Sequence, residues 1–141
     1  MAEGKILALD VGEKRIGVAV ADAKVRFAHP LTTLANTEKI WEELAALVDE
    51  QQCGLIVVGL PRGLNGQETA QTKASEVFMQ RLRANLGLPV RAQDEAATSL
   101  KAKEELEARG KPYAKGEVDA LAATYILEDY LQESGAEHGE V

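Results

Sequence analysis

The chain has 141 residues, a length that favours one domain, and 45% of them are hydrophobic, so a sizeable core can form. No segment approaches the roughly 20 apolar residues of a membrane span, and residues 1–10 lack the pattern of a secretory signal. The lone cysteine, Cys53, excludes an internal disulfide. We therefore expect a cytoplasmic protein with no membrane partner.

The negative charge is concentrated at the C-terminal end. The net charge of −7 argues at first against a nucleic-acid partner, but residues 128–141 hold five acids and no lysine or arginine. With those five of the 23 acidic residues set aside, 18 acids face 16 bases, so residues 1–127 carry a net charge of −2. A bound divalent cation would cancel that remainder. We predict a folded domain over 1–133 and an acidic, solvated tail over 134–141.

The first third of the chain predicts an antiparallel hairpin. Residues 5–11 (KILALDV) and 15–22 (RIGVAVAD) read as strands joined by a short link through Gly12. A third, weaker strand is expected at 25–28, ending before Pro30.

The rest of the chain alternates helices with strands. Apolar residues at helical spacing predict four helices, and two apolar runs between them predict strands. The helices are expected over about 37–52, 68–86, 98–109 and 116–132, and the strands over 54–61 and 90–95. Strands separated by helices after an initial hairpin predict an α/β fold, with a mixed sheet covered by helices on both faces.

Acidic residues stand at three positions suited to a binding site. Asp10 ends the first strand, and Asp94 and Glu95 end the strand at 90–95. Ligands of open α/β sheets bind just outside such carboxyl ends. Asp119 lies on a helix face with two alanines, which would let that helix pack close to the sheet.

A cluster of these carboxylates would call for a cation. Carboxylates within a few ångströms repel, so at least one would be driven to its protonated form unless a positive charge offsets the repulsion. Mg²⁺ or Mn²⁺ would do so, and two such ions about 4 Å apart can promote phosphodiester hydrolysis. No His or Cys set has the spacing of a zinc site. Each acid also has an ordinary structural explanation, in a turn or at a helix N-terminus, so the residues alone leave the metal site open.

Four segments form a recognisable set of motifs: LDVGEKRIGVAVAD (9–22), IVVGLPRGLNG (56–66), DEAATSLKA (94–102) and KGEVDALAATYILEDYL (115–131). In order, spacing and total length they resemble the YqgF/RuvX family, whose members are regarded as Holliday junction resolvases or pre-16S rRNA nucleases. The resemblance covers about residues 5–131. It implies an RNase H-like fold, with a five-stranded mixed sheet whose first three strands are antiparallel.

The resemblance also implies a catalytic carboxylate cluster. Its members would be Asp10, Glu95 and Asp119, which would hold two Mg²⁺ or Mn²⁺ ions, with Asp10 shared by both. Between the adjacent acids at the end of the last predicted strand, the resemblance favours Glu95 over Asp94.

Five further residues are expected to contact substrate. Lys14 and Arg15 lie on the hairpin beside Asp10, where they could contact backbone phosphates, with ordinary exposed hairpin charges as the alternative explanation. Arg62 and Asn65 lie in a glycine-rich loop that could also be a plain turn. Thr98 keeps one hydroxyl of the third motif.

The third motif departs from the family pattern. The family has D-E-R followed by L-T-T, whereas Ala96 and Ala97 stand at the arginine and leucine positions here. The substitution leaves the acids in place but removes an arginine that would contact phosphate or support the site.

The resemblance implies a metal-dependent endonuclease that hydrolyses phosphodiester bonds in structured nucleic acid, with the 5′ end of precursor 16S rRNA as the expected substrate. One alternative is a Holliday junction resolvase acting on branched DNA, which would work as a homodimer. Another is a non-catalytic nucleic-acid-binding factor in ribosome assembly. A nucleotide-binding domain of the actin and sugar-kinase type would need two lobes, and the chain has a single D-x-G hairpin.

Overall fold

The computed structural model describes residues 4–61, 70–95 and 98–137, without the side chains of residues 61, 71, 95, 98, 99 and 134–137. Five strands and four helices lie in the described ranges. They are β1 (Lys5–Val11), β2 (Arg15–Asp22), β3 (Ala28–Ala35), α1 (Ile40–Gln51), β4 (Cys53–Pro61), α2 (Ala70–Leu86), β5 (Val90–Glu95), α3 (Thr98–Ala108) and α4 (Lys115–Glu137).

All five strands form one mixed sheet in the order β3-β2-β1-β4-β5. β1 and β2 are antiparallel, as are β2 and β3, whereas β4 is parallel to β1 and β5 is parallel to β4. The predicted α/β class, the five-stranded sheet and its antiparallel first three strands are thereby confirmed.

The third strand lies later than predicted. The expected strand at 25–28 was wrong, because β3 begins at Ala28 and continues through Pro30, which pairs with Ala19. β3 is an edge strand, where a proline without an N–H is tolerated. The pairing with β2 shifts register between Val18 and Ala19, which accommodates the irregular edge.

The helices lie where the apolar spacing predicts them, with some ends displaced. α1 begins at Ile40, later than predicted, because a turn precedes it: the Thr37 carbonyl accepts the Ile40 N–H, and the Thr37 hydroxyl accepts the Lys39 N–H. α4 continues to Glu137, four residues into the segment predicted as a tail. None of the helices in the described ranges combines the length and hydropathy needed to cross a bilayer.

Helices cover both faces of the sheet. α1 and α2 pack on one face, and α4 packs on the other, with α3 against its outer side. Alternation along β1 divides its side chains between the two cores. Leu7 and Leu9 enter the first core, and Ile6 and Ala8 enter the second.

The second face brings α4 into backbone contact with the sheet. A Cβ built on Gly17 would lie 1.9 Å from the carbonyl oxygen of Asp119, a distance that no side chain could occupy. Gly17 is the partner of Asp10 across the β1–β2 ladder. Ala122 and Ala123 are fully buried, as expected for a helix face that packs this closely.

A second glycine, on the strand at the other side of β1, also allows α4 to pack closely on the sheet. A Cβ on Gly59 would lie 2.4 Å from Cδ1 of Ile126 in α4. Gly59 follows Val58, which is paired with Leu9, so it lies beside Asp10 on the neighbouring strand. Asp10 therefore stands between two glycines beneath α4.

Replacing Gly17 by alanine should displace α4. We expect Gly17→Ala to lower the free energy of unfolding by about 3 kcal/mol or more, because the added methyl meets backbone that cannot move aside locally. The matched control is Gly116→Ala in the first turn of α4, whose Cβ would make ordinary contacts of 3.5 Å with Thr33. That variant should keep wild-type stability or gain up to about 1 kcal/mol. Urea denaturation measures both, and equal stability of the two variants would contradict the packing described.

Candidate active site

The hairpin after Asp10 holds that residue at the carboxyl end of β1. The Gly12 N–H donates to the Arg15 carbonyl at 2.9 Å, closing the turn. Asn36 secures it from β3's far end: its side-chain amide donates to the Gly12 carbonyl at 2.8 Å, and its backbone N–H donates to the Lys14 carbonyl at 2.9 Å. Hydrogen bonds within the turn and from Asn36 therefore fix the hairpin backbone that directly follows Asp10.

Asp119 reaches the same place from α4. It is one turn into the helix, and its side chain is 18% exposed. Arg15 Nε donates to Asp119 Oδ2 at 2.6 Å, so an ion pair joins β2 to α4 across 104 residues of sequence. Thr33 on β3 donates its hydroxyl to the Gly116 carbonyl at 2.6 Å and fixes the start of the helix over the sheet edge.

The two carboxylates are close enough to influence each other. Burial beneath α4, together with the negative charge of Asp119, raises the pKa of Asp10 from 3.8 to about 6, and burial is the larger of the two causes. Arg15 neutralises part of this charge at Asp119. The structure thus brings together Asp10 and Asp119, two of the three acids that the sequence predicted.

The third acid, Glu95, is located by the backbone of β5. Glu95 is the last residue of β5 that pairs with β4. It lies two positions after Gln93, and Gln93 is the partner of Gly59, the residue beside Asp10. Because successive strand positions alternate between faces, position 95 belongs to the sheet face of Asp10. The side chain of Glu95 lies outside the described residues, so its membership of the cluster stays a prediction.

Asp94 belongs to the opposite face. It is the partner of Leu60, which packs in the core beneath α1 and α2. The strand register therefore places position 95, and not position 94, on the face of Asp10, a choice that the residues alone left open. Within the described side chains, no three His, Cys, Asp or Glu residues form a group able to hold a metal ion.

The predicted substrate-binding residues have different outcomes. Lys14 is exposed at the hairpin, and Arg15 is paired with Asp119. Thr98 begins α3, but its side chain is outside the described residues, as are Arg62 and Asn65 altogether. The substituted positions 96 and 97 are also outside the described residues.

The donor set suits a hard divalent cation. Asp10 and Asp119 supply carboxylate oxygens, and their mutual repulsion is the penalty that such an ion would remove. The residues present therefore fit Mg²⁺ or Mn²⁺, with Glu95 as the candidate third ligand.

Sequence reasoning missed three residues that build this site. Gly17 and Gly59 admit α4, and Asn36 secures the hairpin. The available signal was a glycine inside a predicted strand, which often marks a place where another backbone approaches closely. Gly17 and Gly59 both lie inside strands that pair with β1, the strand of Asp10. Asn36 gave no such signal, because its role depends on β3 ending beside the hairpin.

The raised pKa of Asp10 predicts a pH-dependent stability in metal-free protein. Between about pH 4 and pH 6 the folded state binds a proton that the unfolded state releases, so the free energy of unfolding falls as the pH rises. The ionised group should cost about 3 kcal/mol above pH 6. In EDTA, Asp10→Asn should lack this loss, so its stability relative to wild type should increase from pH 4 to pH 7. A difference that does not change with pH, measured by urea denaturation, would contradict the burial of this carboxylate beside Asp119.

Comparisons with known proteins agree with this architecture. The family model described as "RuvX: Holliday junction resolvase" matches residues 4–133. A protein of Chloroflexus aggregans named "Putative pre-16S rRNA nuclease" is 42% identical over 135 residues, covering 93% of this chain and 95% of its own. A protein of Shewanella oneidensis with the same name is 40% identical over 131 residues, covering 90% and 93%.

Two solved structures share the fold. Thermus thermophilus RuvC in complex with a Holliday junction substrate has a TM-score of 0.55 at 18% identity, covering 96% of each chain. Fowlpox virus resolvase with its Holliday junction DNA has a TM-score of 0.52 at 10% identity, covering 92% of this chain and 98% of its own. At these identities the likeness concerns the fold, and it confirms the RNase H-like architecture. The family model that matches residues 4–133, together with relatives about 40% identical over most of the chain, shows that this chain is a member of the RuvX family.

Proposed function

We propose that this chain is a divalent-metal-dependent endonuclease that hydrolyses phosphodiester bonds at the 5′ end of precursor 16S rRNA. The names of relatives about 40% identical over most of the chain support the RNA substrate. The observation that carries the chemistry is the meeting of Asp10 and Asp119 between sheet and helix, with a raised pKa at Asp10. Two neighbouring, partly buried carboxylates destabilise the fold unless a bound cation offsets their charge.

Asp10, Glu95 and Asp119 would hold the metal. Bound Mg²⁺ or Mn²⁺ ions, two in number in this proposal, would supply activation of a water and charge stabilisation at the leaving oxygen. The chain's own part is to keep the three carboxylates on one face and to hold Asp10 in a partly buried position where its negative charge favours a cation.

Basic and polar side chains around the cluster would position the nucleic acid. Lys14 is exposed on the hairpin next to Arg15, and we assign both residues to contact with a backbone phosphate at the mouth of the site. We also assign substrate binding to Arg62, Asn65 and Thr98, because they lie in the second and third sequence motifs.

A second candidate substrate follows from the family description, which names Holliday junction resolution. A resolvase must cut two strands symmetrically, so that function predicts a homodimer, whereas rRNA processing can be performed by a monomer. The same carboxylates would serve both polymers, since a phosphodiester is common to them.

Adjacent acids on β5 offer a matched test of the catalytic cluster. Glu95→Gln should lower the cleavage rate at least about 100-fold, because a ligand on the face of Asp10 is lost. Asp94→Asn removes the neighbouring charge from the opposite face and should cleave like wild type. Both variants should show the wild-type circular dichroism spectrum. Equal losses, or a loss confined to Asp94→Asn, would contradict the assignment.

The substrate is tested by parallel cleavage assays. A precursor 16S rRNA leader and a synthetic four-way DNA junction are incubated with the protein in Mg²⁺ and in Mn²⁺, and its mass is measured by light scattering. We expect site-specific cleavage of the RNA by a species that leaves the junction intact. Symmetric cutting of the junction by a dimer would favour the resolvase instead. Binding of the RNA without cleavage of either polymer would indicate a non-catalytic assembly factor.

A further inference from the structure

The ion pair between Arg15 and Asp119 bears on how the proposed metal site is filled. Arg15 Nε donates to Asp119 Oδ2 at 2.6 Å, and this carboxylate is one of the two that meet beneath α4. Within the described residues, Asp119 is the hydrogen-bond partner of the Arg15 side chain. A side chain of fixed positive charge therefore occupies one of the two carboxylate oxygens that Asp119 can offer a metal ion.

An arginine and a divalent cation on the same carboxylate oxygen exclude each other. The two positive charges would repel at the contact distance, in a partly buried place where the repulsion is poorly screened. The Asp119 side chain is 18% exposed, and a largely buried carboxylate is costly without a positive partner. We therefore expect Asp119 to be paired with either the guanidinium or the metal ion. Occupation of Asp119 Oδ2 by a metal ion thus requires the guanidinium to leave that oxygen.

The surroundings allow the side chain of Arg15 to move without its backbone. Its carbonyl accepts the Gly12 N–H, and its backbone pairs with Ala35 of β3, so the start of β2 is fixed. The side chain of Arg15 is 42% exposed, so its guanidinium can turn away from Asp119 towards solvent without displacing any other group. A released guanidinium would remain at the mouth of the site, where its planar set of donors suits a phosphate.

We infer that Arg15 is a positioning residue that exchanges partners, holding Asp119 in the metal-free protein and turning to a substrate phosphate when a divalent ion takes its place. The inference rests on the proposed function, since it presumes that Asp119 binds the ion. It makes phosphate binding by Arg15 conditional on prior metal binding. Lys14, next to it but exposed and without a described carboxylate contact, would attract nucleic acid in either state.

Metal affinity tests the exchange without any cleavage assay. Isothermal titration with MnCl₂ alone compares wild type, Arg15→Gln and the control Lys14→Gln, which removes a neighbouring positive charge that does not hold Asp119. We expect Arg15→Gln to bind Mn²⁺ about two- to fivefold more tightly than wild type, because the competing ion pair is gone. Lys14→Gln should change the affinity less. Arg15→Lys, which keeps a cation but a weaker one for this geometry, should fall between wild type and Arg15→Gln.

The bond itself can be followed by NMR in the ¹⁵N-labelled protein. The Arg15 Nε–H signal, assigned by its absence from the Arg15→Gln spectrum, should move when Mg²⁺ is added and move again when a short RNA oligonucleotide follows. The same RNA added in EDTA should leave the signal in place.

The outcomes separate the two proposals. If wild type binds metal but Arg15→Gln binds it no more tightly than Lys14→Gln, or if Mg²⁺ leaves the Nε–H signal unmoved, the exchange is wrong and the metal site stands. If no variant binds Mg²⁺ or Mn²⁺, the metal site fails and the exchange fails with it.

Discussion

The contact between the backbone of α4 and the sheet at Gly17 is the constraint on which the site depends. Only a residue without a Cβ allows the Asp119 carbonyl to lie where it does, and Gly17 is the ladder partner of Asp10. The close packing of α4 on the sheet therefore buries Asp10 and also places Asp119 beside it. A larger side chain at this strand position would separate the two acids, even if every other element were kept.

Bringing these acids together has an energetic cost that shapes the rest of the site. Burial and the nearby Asp119 both raise the pKa of Asp10, so its ionised form is held at a cost in the metal-free fold. The ion pair to Arg15 offsets part of the charge from the side of the hairpin. A divalent ion would offset more, which is the physical reason for treating the arrangement as a binding site rather than a structural accident.

Much of this could be predicted from the sequence, because local patterns decide it. The hairpin follows from two β-branched runs around Gly12, and the small face of α4 follows from Ala122 and Ala123. The position of β3 could not be predicted, since an edge strand need not carry an apolar pattern and can include Pro30. Its shifted position also hid the role of Asn36, whose contact with the hairpin depends on where β3 ends.

The sequence motifs identify the acidic residues of the candidate site, but the register of the strands decides which of them lie on the same face of the sheet. The sequence predicts acids at strand ends, but only the pairing of β4 with β5 shows that position 95, and not position 94, shares the face of Asp10. The Arg15–Asp119 pair spans 104 residues, and no local spacing predicts such a partner. Family resemblance named the acids, whereas the geometry explains why Gly17 and Gly59 accompany them.

We propose that carboxylates at positions 10, 95 and 119 share one metal site. Anomalous diffraction from crystals soaked in MnCl₂, recorded at the manganese edge, tests it most directly. We expect anomalous peaks at coordination distance from Asp10, Glu95 and Asp119, with Asp94 turned to the other face. Manganese bound elsewhere, or a Glu95 side chain directed away from the other two acids, would contradict the account.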